Sequence, residues 1–176
     1  MSVSIQMTWP LRVEDLPEDE NGPRMEIVDG SLHVTPLADL RHQRLVGRLA
    51  HDLVDLAPAG WVVLPGANVL RRAATDRLLI PDVVVPAEEA LAAGGAHADP
   101  SDVLLAVEVE SPSTRTADRL LKRDLYAQWK LPNYWIVDPE GRTLTRLALG
   151  PGRRYDEGPG GTEWLTSFDD SALWGA

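Results

Sequence analysis

Two nearly unbroken apolar runs dominate the chain: Leu78-Leu79-Ile80-Pro81-Asp82-Val83-Val84-Val85 and Val103-Leu104-Leu105-Ala106-Val107-Glu108-Val109-Glu110. Their length and β-branched content predict strands buried on both faces. A third run, Asn133-Tyr134-Trp135-Ile136-Val137-Asp138-Pro139, reads as a strand entering a turn at Glu140-Gly141. Between the second and third runs the period changes. Ala117, Leu121, Leu125 and Trp129 recur every fourth residue, and Leu120 widens the stripe, which predicts a helix over 117–129 with Thr116 as its N-cap. Pro112 ends the strand before it and Pro132 stops the helix. Lys122 falls off the stripe, on a side shared with Asp118, Arg119 and Tyr126, from which it can lean over the end of the preceding strand.

Upstream, residues 1–24 read as a loosely ordered lead-in with an acidic stretch from Glu14 to Glu20, and residues 25–176 as one domain. Asp29-Gly30 predicts a hairpin turn between Arg24–Val28 and Ser31–Thr35. Asp39 is placed to cap a helix running to about Leu56, with Leu45, Val46, Leu49, Leu53 and Leu56 as its apolar side and Pro58 and Gly60 as its end. Trp61–Leu64 and Asn68–Arg71 are strand candidates separated by Pro65-Gly66, and Glu88 to Asp99 reads as a short helix and surface loop. Leu144–Leu149 is a further strand, 151–161 a Gly-rich connection, and the residues up to Trp174 a short strand or helical turn. The fold class expected is α/β, a central mixed β-sheet flanked by helices.

The polar exceptions inside the apolar runs carry the chemistry. An ionised carboxylate in apolar surroundings costs several kcal/mol unless a cation or donors compensate it. If the two strands lie side by side, Asp82, Glu108 and the backbone carbonyl of Val109 supply the oxygen donors that Ca2+, Mg2+ or Mn2+ prefer. Glu110 shares a face with Glu108 by the period of two, so both can approach one ion. Plainer readings stand beside these. Asp82 also fits a turn carboxylate, Glu108 a charge on a wet strand face, Lys122 an exposed ion pair with Asp118, and His42 a core histidine at helical spacing from Leu45, Val46 and Leu49. His33, His51 and His97 show no ligand spacing, and without cysteine there is no disulfide, thiolate site or Cys nucleophile.

Taken in order, Glu26-Ile27-Val28-Asp29-Gly30, His42, Pro81-Asp82-Val83, Val107-Glu108-Val109 with Ser111-Pro112-Ser113-Thr114, then Asp118, Lys122 and Tyr126, then Tyr134 to Pro139 resemble the Uma-two family of restriction endonucleases over roughly residues 10 to 150. That resemblance implies the restriction-endonuclease-like fold and a PD-(D/E)XK centre. It makes Asp82 and Glu108 metal ligands and Lys122 the lysine that positions or activates the attacking water. It also puts Glu26 and His42 at the site edge and Mg2+ in the site, with Mn2+ as a substitute. The position two after Glu108 holds Glu110, where the family has an apolar residue and the motif a lysine.

The resemblance further implies DNA as substrate and a homodimer that supplies one cut per strand. Net charge is −10, which opposes a phosphate-rich partner. The cations Arg115, Arg119, Lys122, Arg123 and Lys130 outnumber Asp118 and Asp124 between 115 and 130, so a local basic face is one reading and solvated helix charges the other. No apolar run approaches ~18 residues. The expectation is therefore a cytoplasmic protein with no membrane segment. The function expected is metal-dependent phosphodiester hydrolysis by a DNA endonuclease. The alternative is a catalytically weak or inactive dimeric module of the same fold that binds nucleic acid or protein.

Overall fold

A computed structural model of the chain describes residues 10–17, 23–35, 38–71, 75–92 and 94–175. Asp29 and Gly30 both take positive φ, 47° and 75°, the two-residue turn whose twist matches a hairpin. On either side of it β1 (Arg24–Val28) and β2 (Ser31–Thr35) pair antiparallel. Gly30 is required for a second reason, because a Cβ there would lie 2.5 Å from Pro10 Cβ. Leu11, in the lead-in, is buried with Ile27, Leu70 and Leu78, and its amide donates to Gly30 O at 3.0 Å. Residues 1–9 and 18–22 of that lead-in lie outside the described residues.

Asp39 caps α1 (Leu40–Leu56), accepting from the His42 amide at 2.8 Å, and the helix buries Val46, Leu49 and Leu53. Of the strand expected from Trp61, only β3 (Leu64–Pro65) forms a ladder, with Trp61 making an isolated bridge to Ala87; β4 (Asn68–Leu70) follows. The run expected as a single strand from Leu78 to Val85 is two strands. β5 (Leu78–Leu79) and β6 (Val83–Pro86) belong to different sheets, and Ile80-Pro81-Asp82 crosses between them. Pro81 lacks the amide needed to continue a ladder. The surface loop expected after α2 (Glu88–Ala92) contributes β7 (His97–Ala98) parallel to β4.

β8 (Val103–Val109) is buried along its whole length. The helix after it starts earlier than the apolar stripe predicts. Thr116 has helical φ and ψ and makes no capping bond. Instead Ser111 Oγ accepts from the Thr114 amide while Thr114 Oγ1 accepts from the Ser111 amide, a reciprocal cap with Pro112 at the first helical position. A π-helical stretch, Ala117–Lys122, then leads into α3 (Arg123–Gln128). Through it Asp118 and Lys122 turn inward while Leu120 is 64% exposed, so the stripe's inward face is corrected at that position. β9 (Asn133–Asp138), β10 (Thr143–Leu149) and β11 (Tyr155–Glu157) follow, the last within the expected Gly-rich connection. α4 (Glu163–Thr166) and a 3-10 turn (Asp170–Trp174) complete the described chain.

The strands form two mixed sheets, β2-β1-β5-β4-β7 and β11-β10-β9-β8-β6-β3. β8 and β9 are parallel neighbours, as are β4 and β7, and the other pairs are antiparallel. One face of the larger sheet (Val83, Val85, Leu105, Val107, Trp135) packs on α1 and the C-terminal turns. The other (Val84, Ala106, Tyr134, Ile136) packs on α3 and on Val28, Val69 and Leu79 of the smaller sheet. The result is the expected α/β class with two sheets where one was predicted, and the site lies where they meet.

Candidate active site

The crossing from β5 to β6 places the first carboxylate. Val83 stands opposite Val107 in the β6–β8 ladder, so one step further brings Asp82 across from Glu108 at the end of the pairing. Asp82 Oδ2 accepts from the Val109 amide at 2.7 Å and lies 3.3 Å from His42 Nε2, which is itself 3.0 Å from Val109 O. The capping of α1 by Asp39 thus sets its first turn against the end of β8. Glu108, on the opposite face of β8 from Val107 and Val109, points toward α3 and is 2% exposed.

Around Glu108 the structure gathers residues from both sheets and from the π-helical stretch. Lys122 Nζ is 3.0 Å from Glu108 Oε1, 3.0 Å from Glu26 Oε1 and 3.5 Å from Asp118 Oδ1. Tyr126 donates its hydroxyl to Glu108 Oε1 at 3.0 Å, and the Ile80 amide donates to Glu26 Oε1 at 2.8 Å. Lys122 is 5% exposed, so the reading of an exposed pair with Asp118 gives way to a buried ammonium among three acids. Arg24 closes the group. Its Nη1 is 2.7 Å from Asp82 Oδ1 and its Nη2 3.8 Å from Glu108 Oε2. Arg24 Nε and Nη2 are buried without a hydrogen-bond partner among the described residues.

The carboxyl groups respond oppositely to this setting. Burial would raise Asp82, but the His42 hydrogen bond and the Arg24 charge outweigh it and hold the carboxyl down at about 2. Burial pushes Glu108 well above the ordinary carboxylate range, with Asp118, Asp82 and Glu26 adding to the rise and Lys122 opposing it. Asp118 is raised by burial as well. Lys122 loses hydration, yet Glu108, Glu26 and Asp118 more than restore its charge and raise it. Both partners of the Lys122–Glu108 pair rise because the ammonium stays charged while one cation cannot satisfy three acids. Four buried carboxylates, Glu26, Asp82, Glu108 and Asp118, thus face two permanent cations, Arg24 and Lys122.

A cavity of about 140 Å³ reaches this cluster from the surface, lined by Glu26, Asp118 and Lys122 at its floor and by His33, Ser113 and Thr114 toward its mouth. Glu110 is turned elsewhere. Arg119 grips it through paired bonds of 2.5 and 2.8 Å, and Arg115 Nε adds a contact at 3.4 Å. Its nearest charges are therefore arginines rather than the Asp82–Glu108 group. Those same arginines reach Asp138 and, for Arg115, Glu140, while Arg123 donates to Tyr155 O. Most of the expected basic face is committed within the protein. Sequence reasoning assigned no role to Arg24, although β1 periodicity places it on one face with Glu26, two residues away.

Mg2+ or Mn2+ suits the donor types at Asp82, Glu108 and Val109 O, yet among the described residues no three acidic or histidine side chains converge in a geometry that would hold an ion. The Arg24 guanidinium lies against both Asp82 Oδ1 and Glu108 Oε2. A cation held by both carboxylates would compete with it. No described helix is long and apolar enough to cross a membrane.

The model of a family designated Uma2 and described as "Putative restriction endonuclease" matches residues 11–170. A crystal structure titled as a "putative nuclease belonging to DUF820" from Anabaena variabilis superposes with a TM-score of 0.68 at 14% identity, covering 94% of this chain and 98% of that one. That likeness concerns the fold. No curated protein matches the chain.

Proposed function

Since the chain belongs to the Uma2 family, we propose that it is a metal-dependent endonuclease that hydrolyses phosphodiester bonds in DNA. The observation that carries this reading is the charge deficit of the buried cluster. Four buried carboxylates stand against Arg24 and Lys122, and burial with mutual repulsion holds Glu108 and Asp118 above the ordinary carboxylate range, a strain that a divalent cation would relieve by favouring their ionised form. Asp82, Glu108 and the Val109 carbonyl would hold Mg2+, or Mn2+ in its place, which supplies Lewis-acid polarisation of a phosphoryl oxygen and acidifies water.

The protein's own groups have distinct tasks in this reading. His42 orients both the Asp82 carboxylate and the Val109 carbonyl, since its Nε2 lies within reach of each. Tyr126 fixes the Glu108 carboxylate by donating to Oε1. Lys122, beside that oxygen, brings a proton donor and a positive charge to the negative charge that develops on the phosphate. Glu26 and Asp118 keep its ammonium protonated and aimed.

Supercoiled plasmid, incubated with Mg2+ or Mn2+ and with a chelated control, tests the reading. Nicking or linearisation that needs the ion and disappears in both Asp82→Ala and Glu108→Ala is expected. Cleavage by Asp82→Ala at the wild-type rate, or none by the wild type on any phosphodiester, refutes it. One observation favours a second reading, the catalytically inactive nucleic-acid-binding module. Arg24 already bridges toward both carboxylates, which is how a centre that no longer binds metal would be neutralised. Under that reading the wild type binds DNA and never cuts it.

A further inference from the structure

A groove of about 340 Å³ lies between α1 and the turn after β9, lined by Arg41, Arg44, Arg48, Arg142, Leu45 and Trp174. Arg41, Arg44 and Arg48 stand at i, i+3 and i+7, which puts all three on one face of α1, and Arg142 comes to them from the turn. Other arginines are neutralised where they sit: Arg24 by Asp82, Arg77 by Asp29, Arg119 by Glu110 and Arg146 by Asp170. Among the described residues, none of the four groove guanidinium groups has a hydrogen-bond or ion-pair partner.

That is a costly arrangement in isolation. Like charges one helical turn apart destabilise a helix, and the chain has 27 acidic residues with which to pair its 17 basic ones. The groove also adjoins the carboxylate site. Arg41 directly precedes His42, whose Nε2 touches Val109 O. Arg142 and Pro139 follow β9, whose Val137 pairs with Val109 in the parallel β8–β9 ladder. Both walls of the groove thus lead to the end of the sheet where Asp82 and Glu108 stand.

We propose that this groove binds the phosphate backbone of a DNA strand and delivers it to the Asp82–Glu108 site. Guanidinium groups pair with phosphate oxygens through parallel hydrogen bonds, and the half-buried Trp174 indole offers an apolar surface for a sugar or a base. The choice of DNA rests on the nuclease reading; the choice of this groove rests on its unpaired arginines. It replaces the surface around Arg115 and Arg119, whose charges Glu110, Asp138 and Glu140 already occupy.

The test is equilibrium binding of a fluorescent DNA duplex in chelator, where no cleavage intervenes, with the wild type, Arg44→Ser/Arg48→Ser, Arg115→Ser/Arg119→Ser and Glu108→Gln. The groove variant is expected to bind roughly tenfold more weakly or worse at low salt, and its plot of log affinity against log salt should flatten by about two units. Arg115→Ser/Arg119→Ser should bind like the wild type, and Glu108→Gln, which removes a carboxylate from the site the strand is delivered to, no more weakly than the wild type. Unchanged affinity and slope in the groove variant, absence of binding by the wild type, or equal binding of polyglutamate and DNA would overturn the proposal. The nuclease reading fails separately. A wild type that binds through the groove without cutting DNA under Mg2+ or Mn2+ keeps the groove and loses the enzyme, whereas a cutting enzyme indifferent to Arg44 and Arg48 does the reverse.

Discussion

Arg24 Nη1 lies 2.7 Å from Asp82 Oδ1, although Arg24 begins β1 of the smaller sheet and Asp82, 58 positions away in sequence, lies on the crossing that leads into the larger one. A guanidinium thereby stands where two carboxylates meet, performing in the metal-free protein the neutralisation that the proposed function assigns to a divalent ion. Substituting Arg24→Met should move two quantities in opposite directions. The metal-free protein should lose stability on the order of 2 kcal/mol, because removing one partner of a largely buried pair strands the other. Affinity for Mg2+ or Mn2+ should rise, because the ion no longer displaces a cation. Urea unfolding in chelator and calorimetric titration with each ion measure the two. A variant with weakened metal binding would mean that Arg24 assists the ion rather than substituting for it.

Among the described residues, Lys122 is the only ammonium within reach of Glu26, Glu108 and Asp118. Lys122→Met should destabilise the metal-free protein by about 3–5 kcal/mol, the usual consequence of leaving buried charge unpaired. Glu108→Gln in the same chain should recover part of that loss, since it removes one of the stranded acids, and a double-mutant cycle isolates the coupling. Additive effects in the cycle would show that the pair does not interact energetically. In cleavage assays Lys122→Met should fall in turnover beyond any loss of folded protein, which circular dichroism at the assay temperature quantifies.

The elements that sequence patterning predicts well are those whose signals are local. Asp29-Gly30 can hardly avoid a hairpin, Asp39 caps α1 as its side chain predisposes it to, and the apolar density of β8 and β9 leaves them nowhere but the centre of a sheet. Asp82 and Glu108 are legible for the same reason, as charges inside such density. What stays hidden depends on pairings between distant segments. No local pattern sends Leu78-Leu79 to one sheet and Val83–Pro86 to the other, and β7 is only two residues long, with its identity as a strand coming from β4. The π-helical stretch rotates Leu120 out and Lys122 in, which a uniform period of 3.6 cannot represent. Arg24 looks like a strand-edge cation until the two sheets bring it against Asp82.

The setting of Glu110 predicts a mild effect of its loss. Its partners Arg119 and Arg115 are 48% and 38% exposed, so on losing the carboxylate they can turn to water. Glu110→Leu should cost about 1 kcal/mol or less and leave divalent-ion affinity unchanged. Calorimetric titration decides the matter. A parallel fall in metal affinity and cleavage would place Glu110 among the ligands despite its arginine contacts.

The Asp82–His42 pair makes the stability of the metal-free protein depend on pH from both sides. Asp82 is held at about 2, below its ordinary value of 3.8, so its contribution is complete above the ordinary value and disappears as pH falls toward 2. By linkage it amounts to about 2 kcal/mol. His42 is raised above 6.5, first by its hydrogen bond to Asp82, so its contribution is complete below the unfolded value and disappears as pH rises through the folded one. Urea unfolding in chelator from about pH 3 to about pH 9 should therefore show a maximum with a limb on each side. His42→Gln should flatten the alkaline limb and shrink the acid one, because Asp82 keeps Arg24 and the Val109 amide but loses the imidazolium. Asp82→Asn should flatten the acid limb and reduce the alkaline one, since it removes the acid that titrates and the partner that raises His42, while Glu108 and Asp118, also held above the ordinary range, keep their share of the alkaline limb. An alkaline limb that survives intact in Asp82→Asn would assign it to a group outside this pair.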